Sequence, residues 1–346
     1  MSGDGVTFAH EDFPPPGEAR PVAPGVYWLR MPLPFKLDHI NLWLLEDGDS
    51  WTLFDTGIAR DEVRDAWEIV IARNFTAVRP LKRILVSHFH PDHLGLAGWL
   101  TERFDVPLWM TVAEWAVGNL RSLDDDARLF DPYWRFYARA GFTDGLADAV
   151  RWRIRQYPKM VSPPPPVFRR MEDGEEIMIG GRSWRVIVCR GHSPKHACLF
   201  CEELQVLIAG DQVLPKISPN ISVWPDEPEA DPLARYLDSL AAFRPLSAGT
   251  LVLPSHNLPF TGLHARLDQL AQHHDDRLGK TLAACAEPRT GIEVQEQLFQ
   301  RNLDDHQLFF AIGETLAHLH FLIGSGQIER VRRDGEADRF VRASMP

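Results

Sequence analysis

The chain lacks the features that would commit it to a membrane, to nucleic acid or to secretion. It holds 37 Lys and Arg against 48 Asp and Glu, a formal net charge of -11. Phosphate backbones and anionic lipid surfaces attract basic faces, so a broad electrostatic surface for either is excluded, although a local basic patch is not. No apolar run approaches the ~18 residues of a membrane span. The opening MSGDGVTFAHEDFPPPGEARP has no basic start followed by an apolar core, so no secretory signal is expected and the expected location is cytoplasmic. Cysteine is scarce. Its four copies, Cys189, Cys198, Cys201 and Cys285, form no secreted disulfide framework. Cys198 and Cys201 make a CxxC inside the strand-like run Ala197–Cys201, where residues three apart face opposite sides, so buried thiols are expected rather than a redox or metal pair.

What the chain does have is a knot of imidazoles. Val86-Ser87-His88-Phe89-His90-Pro91-Asp92-His93-Leu94-Gly95 packs three histidines and an aspartate into six residues. Histidines two apart on an extended segment project to the same side, and the Asp-His pair that follows can turn back toward the same point. Imidazole nitrogen and carboxylate oxygen are the ligand set of Zn²⁺ or a similar ion, and without a cation the cluster would hold polar groups together with little to satisfy them. A metal site is therefore preferred over a histidine-rich polar loop.

With 346 residues, one large domain and a smaller one are expected. Residues 1–23 are rich in proline, glycine and acid and predict an irregular lead-in. From there to 262 the punctuation is mainly that of strands. His39–Leu45 pairs with Trp51–Phe54 across Asp47-Gly48-Asp49. Asp55 follows, placed either to hydrogen-bond a metal-ligating histidine or to cap the helix predicted over 60–75, whose Val63, Trp67, Ile71 and Phe75 recur every four residues. Ile84–Val86 is a short buried strand delivering His88 and His90, with a helix from Leu94 to Phe104 beyond. About 111–166 the pattern turns helical and aromatic, an insertion closed by Pro163–Pro166. Its aromatics, Tyr133 and Tyr137 among them, are either an apolar lid over the site or the packing of the insertion onto the body. Later strands end in Gly191-His192, Gly210-Asp211 and Ser255-His256. Four apolar strands thus finish within a few residues of a His or Asp, so one rim of a sheet sandwich can collect them.

From 263 to 346 the composition changes to amphipathic helices, Leu263–Ala286, Thr290–Arg301 and 306–323, and a hairpin over Ile328–Val341. Thr290 and Glu293 have capping-box spacing. Helices followed by a hairpin suggest a winged-helix module. Ten Lys and Arg against thirteen Asp and Glu, with none of the former in the third helix, argue against its binding DNA. The tail's apolar stripe serves either as a homodimer surface or as internal support. His273, His274, His318 and His320 are expected on the surface or on helix faces.

His88-Phe89-His90-Pro91-Asp92-His93 resembles the HxHxDH signature of the metallo-β-lactamase superfamily. Asp55-Thr56-Gly57, Gly191-His192, Gly210-Asp211 and His256 follow in the order and spacing that superfamily uses, over about residues 24–260. The C-terminal module resembles the tail of its glyoxalase II-like and lactamase-like members. The resemblance implies an α+β fold, a four-layer αββα sandwich, with two divalent metals at its edge: zinc first, with iron or manganese compatible. His88, His90 and His192 would hold one ion and Asp92, His93 and His256 the other, with Asp211 bridging and Asp55 behind. Seven ligands over two ions give each about four protein contacts, leaving room for a shared water. His196 is expected to orient its turn rather than to bind metal. Pro-Ser-His-Asn around His256 and Lys195 in the GHSPKH turn depart from the small residues common there, so Lys195 and Asn257 are expected at the pocket with Tyr133 and Tyr137.

A water shared by two cations can attack as hydroxide near neutral pH, with Asp92 orienting it or taking its proton. No separate residue is identifiable as general acid, which favours a leaving group that departs unprotonated. A thiolate, whose thiol has a pKa of about 8.5, does so. A small thioester of the glyoxalase II or acyl-CoA kind is therefore the expected substrate. Lactone hydrolysis and phosphodiester or RNA cleavage are the enzymatic alternatives, and a regulatory winged-helix protein with an inert metal site is the non-enzymatic one.

Overall fold

The computed structural model describes residues 5–75, 79–299 and 303–344. Two seven-stranded sheets lie face to face. In order across the first are Arg20–Ala23, Val26–Pro32, His39–Glu46, Trp51–Phe54, Leu81–Leu85, Leu108–Met110 and Arg169–Arg170. Across the second are Thr7–Phe8, Phe260–Thr261, Leu251–Pro254, Val206–Gly210, His196–Cys201, Arg182–Cys189 and Glu176–Ile179.

Side-chain alternation explains the layering. On His39–Glu46, Trp43 and Leu45 point into the space between the sheets, where they meet Trp28, Phe54, Trp184 and Ile208. Leu42 and Leu44 point outward onto Val63, Trp67 and Leu100 of the helices Asp61–Asn74 and Ala97–Phe104. The second sheet is covered by Pro232–Leu240, Leu263–Ala284 and Asp305–Gly324, through Phe200, Leu207, Tyr236, Leu267 and Phe309. A strand buried on both faces must be apolar throughout, as His39–Glu46 nearly is. The architecture is the α+β, four-layer αββα sandwich.

Local departures from the expected elements have physical causes. The lead-in is not wholly irregular, since Thr7–Phe8 pairs with Phe260–Thr261 and Arg20–Ala23 pairs with Val26–Trp28; both are short edge pieces too brief to show periodicity. The helix expected from Leu94 begins earlier as one turn, Pro91–Leu94, with proline at its first position, and resumes at Ala97. The second tail helix spans Gly291–Leu298 with the Thr290–Glu293 capping box formed; Arg301 lies outside the described residues. Helices Leu263–Ala284 and Asp305–Gly324 are followed by the hairpin Ile328–Val331 and Arg339–Arg342. Ile312, Leu316 and Leu319 of the apolar stripe are buried in the core shared with the second sheet and the insertion. His274, His318 and His320 are buried rather than superficial. Ring nitrogens of all three find partners: His274 Nδ1 faces His318 Nε2 at 3.3 Å, and the Nδ1 atoms of His318 and His320 donate to the carbonyls of Glu314 and Ala230. Cys198 faces the outer core and Cys201 the space between the sheets, and all four cysteines are free and buried. Among the described residues no helix is long and apolar enough to cross a membrane.

The sheets are pinned at the edge away from the histidine cluster by a buried ion pair. Asp47, in the turn before Trp51–Phe54, accepts from Arg83 at 2.7 Å, Thr52 at 2.9 Å and the amide of Gly180 at 3.2 Å, and Gly180 belongs to a turn of the other sheet. Burial pushes the Asp47 carboxyl up, but these donors, with the Lys82 ammonium at 3.1 Å, outweigh it and leave the pKa below the usual value. A carboxylate depressed in the fold stabilises it above the unfolded pKa of about 3.9, and that contribution is lost as pH falls through the folded value. Asp47→Ala strands the Arg83 guanidinium, so a loss of ~3–5 kcal/mol is expected in urea denaturation near neutral pH. The variant is also expected to lose less stability than the wild type on acidification below pH ~4; equal acid sensitivity would refute the assignment.

Candidate metal centre

Parallel pairing puts the functional residues on one edge. Trp51–Phe54 and Leu81–Leu85 are parallel neighbours, so Asp55 and Ser87-His88 emerge side by side. Val206–Gly210 and Leu251–Pro254 are parallel neighbours in the facing sheet, which sets Asp211 beside His256. Arg182–Cys189 runs antiparallel to His196–Cys201, placing His192 at the same edge, and the amide of Ala197 donates to Ser87 O at 2.9 Å across the sheets.

Two groups of potential ligand atoms result: His88, His90, His192 and Asp211, and Asp92, His93 and His256, with the atoms of each group within 4.8 Å of one another. Asp211 reaches both, one oxygen 3.3 Å from His192 Nε2 and the other 3.5 and 3.4 Å from the Nε2 atoms of His93 and His256. Most of these side chains are buried; His90 and Asp92 are half-buried.

The outer hydrogen bonds decide which nitrogen each histidine presents. His192 Nδ1 faces the carbonyl of Asn220 at 2.9 Å and His256 Nδ1 that of His39 at 2.9 Å. A carbonyl only accepts, so both Nδ1 atoms carry the proton and both Nε2 lone pairs point inward. His93 Nδ1 faces Asp55 at 2.8 Å. Asp55 caps no helix: its other bonds come from the amide and hydroxyl of Ser87, at 2.8 and 2.9 Å, and its backbone sits at φ 64°, a left-handed conformation aspartate tolerates. His196 serves elsewhere. Its Nε2 accepts from the amide of Asp211 at 3.2 Å, so that lone pair is spent and the ring holds the backbone of the bridging aspartate. Gly210 is required there, since a Cβ would lie 2.4 Å from the His196 ring.

The residues fit a pair of cations. His88 Nε2 lies 2.9 Å from His90 Nδ1 and 3.2 Å from His192 Nε2. His93 Nε2 and one Asp211 oxygen are buried with no hydrogen-bond partner. Burial, then the neighbouring imidazoles, hold the proton affinity of His88 far down, and burial, then His192, hold the His90 pKa down to about 3, so both are neutral ligands. Burial alone would also lower His93, but the carboxylates of Asp92, Asp55 and Asp211 outweigh it and raise the value well above normal. A field that attracts a proton this strongly attracts a divalent cation for the same reason. The first four ligands would hold one ion and the other three, with Asp211 shared, the second.

Several supports escaped sequence inspection. Glu114, on the insertion helix Val112–Ser122, is fully buried and accepts from the amide of Phe89 at 3.0 Å, the hydroxyl of Ser193 at 2.7 Å and the amide of Lys195. It ties the loop carrying His88 and His90 to the turn carrying His192. Tyr157, from the same insertion, donates to Phe89 O at 2.5 Å. Asn41 donates to the carbonyls of Pro254 at 2.9 Å and Asn257 at 2.6 Å, fixing the loop of His256, and Trp28 donates to Asn41. A glutamate in an aromatic helical segment resembles any exposed acid, so no local signal marked Glu114.

Beside His192 lies a cavity of about 250 Å³ under the insertion, with Phe89, Val117, Leu120, Leu129 and Trp224 among its walls. None of the four residues expected to line it does so. Tyr133 stands one layer back, its hydroxyl donating to the cavity residue Asp226 at 2.6 Å. Tyr137 is buried against Phe142 and Phe309. The Lys195 side chain is exposed, and Asn257 stands behind His256 with φ 72° and its amide donating to His39.

Residues 36–256 match the family model described as the metallo-beta-lactamase superfamily. The chain belongs to that superfamily. Residues 278–343 match the metallo-beta-lactamase-like C-terminal domain. A beta-lactamase domain protein from Burkholderia ambifaria is similar over 98% of both chains, at 44% identity and TM-score 0.90. A metallo-beta-lactamase family protein from Thermus thermophilus shares 31% identity over 93% of this chain and all of its own, at TM-score 0.79. A Bacillus subtilis protein named as a probable metallo-hydrolase is 25% identical over 85% of this chain and 91% of its own.

For this superfamily member, Glu114→Gln keeps the side chain's shape but replaces one acceptor oxygen with a donor facing donors. Metal affinity is expected to fall ~10–100-fold, as for other residues that orient ligands, in competition with a chromogenic chelator. Unchanged affinity would show that the insertion does not organise the ligands.

Proposed function

We propose that this metallo-hydrolase cleaves small thioesters bearing an uncharged, apolar acyl group. The observation carrying the proposal is the cavity beside His192. Its walls are largely apolar, and its three arginines, Arg121, Arg128 and Arg235, are matched by Asp124, Asp226 and Glu227. Arg121, in particular, is held between Asp124 and Asp226. A cavity whose charges cancel internally suits a neutral acyl group and offers nothing to a phosphodiester backbone, which binds through unneutralised cations.

Two divalent cations, when bound, lower the pKa of a shared water and polarise the carbonyl. The chain's residues supply the rest. Asp92 is half-buried, and its carboxylate takes the proton that water loses on attacking the carbonyl carbon. Burial pushes its carboxyl up, but His93 and His256 bring it down to about 2, so it is ionised in readiness. As the carbonyl reforms, the C–S bond breaks, the sulfur keeps the electron pair, and a carboxylate and a thiol result once the proton is passed on through solvent. A thiolate leaves without protonation, whereas an alkoxide or amide nitrogen needs an acid.

Turnover of a panel of acyl thioesters, a lactone and a single-stranded RNA by the zinc-loaded protein tests the proposal. Thioester hydrolysis is expected to be preferred and to fall at least ~10³-fold in His88→Ala. Absence of thioester turnover above that variant would overturn it, and preferred lactone or RNA cleavage would replace it with that activity.

A further inference from the structure

Behind the wall formed by residues 224–229 the chain builds a second cleft, of about 430 Å³, that the hydrolytic chemistry does not use. The insertion helix Asp126–Ala140 supplies Arg135, Phe136 and Arg139 on one side. The C-terminal region supplies Arg330, Arg332 and Phe340 on the other. We propose that this cleft binds a phosphate monoester carried on a small aromatic or apolar body.

Charge is the first argument. Four arginines line the cleft against two acids, Glu229 and Asp338, a surplus of two positive charges in a chain whose formal charge is -11. The cavity beside His192 has no such surplus, its three arginines facing three acids. His320 adds no charge. It is buried, its Nδ1–H donates to the carbonyl of Ala230 at 2.8 Å, and burial lowers its pKa.

The second argument is how the acids are shared. Glu229 accepts from both Arg330 and Arg332, and Asp338 accepts from Arg139 at 2.9 Å and Arg332 at 3.4 Å. Each guanidinium has five N–H donors, and none of the four uses more than two in these contacts. Arg135 is exposed and has no polar partner among the described residues. Ion pairs to Glu229 and Asp338 account for three of the four arginines and leave Arg135 over. The surplus of planar donors matches an anion of charge about -1.5 to -2, which is that of a phosphate monoester near neutral pH.

The third argument is the lining. Phe136, Phe340 and Leu316 give the cleft an apolar floor beside its cations, so a ligand with an apolar body and an anionic end uses both.

Isothermal titration of the metal-loaded protein with adenosine monophosphate, and with adenosine as its neutral counterpart, provides the test. The monophosphate is expected to bind roughly tenfold or more tightly than adenosine, the gain of charge-assisted hydrogen bonds to phosphate. Arg135→Gln and Arg139→Gln are each expected to weaken it severalfold, and Arg135→Gln to leave the melting temperature unchanged, because that side chain makes no polar contact among the described residues. His88→Ala is expected to retain the affinity. Equal binding of the two ligands, unaltered affinity in both arginine variants, or loss of binding in His88→Ala would each overturn the proposal, the last by placing the phosphate on the metals.

Discussion

Lone pairs crowded against lone pairs are the constraint around which this molecule is built. His88 Nε2 lies 2.9 Å from a nitrogen of His90 and 3.2 Å from one of His192, and Asp92, His93, Asp211 and His256 bring carboxylates and imidazoles together a few ångströms away. No packing energy favours that arrangement, so each side chain must be held from behind. Asp55 and Ser87 hold His93, the carbonyls of Asn220 and His39 hold His192 and His256, and His196 holds the backbone of Asp211. Removing any one frees a ring to turn away and relieve the repulsion.

That requirement explains the architecture. A sandwich of two sheets with parallel central pairs delivers several strand ends to one edge, and strands buried on both faces do not shift register without exposing apolar side chains. The opposite edge is closed by Asp47 and Arg83, so the sheets cannot splay and widen the metal cluster. The insertion, although outside the sandwich, is part of the same device. Through Glu114 and Tyr157 it grips Phe89 between His88 and His90, and it walls the cavity beside His192.

The same insertion faces the C-terminal region across the basic cleft, so one helical segment borders both cavities, with residues 224–229 between them. Their contrast is chemical. Around Arg121 every cation is answered by an acid, while around Arg330 and Arg332 two acids serve three of four cations. A charge-balanced pocket beside the histidine and aspartate cluster and an electropositive cleft behind it suit different ligands.

The sequence by itself determined the sandwich, the gathering of histidines and aspartates at one edge and the inward- and outward-facing cysteines, because those depend on local rules. Alternation sets which face a strand residue takes, and a run such as His88-Phe89-His90-Pro91-Asp92-His93 has few uses other than gathering lone pairs. Only the tertiary structure decided which role Asp55 takes, where Tyr133, Tyr137, Lys195 and Asn257 stand, and that Glu114 is a support. The physical reason is that burial and partnership are properties of contacts between distant segments. Glu114 meets Phe89, Ser193 and Lys195 across 25, 79 and 81 residues of chain. Asp47 meets Gly180 across 133. A charged residue looks the same in sequence whether water or three buried donors surround it.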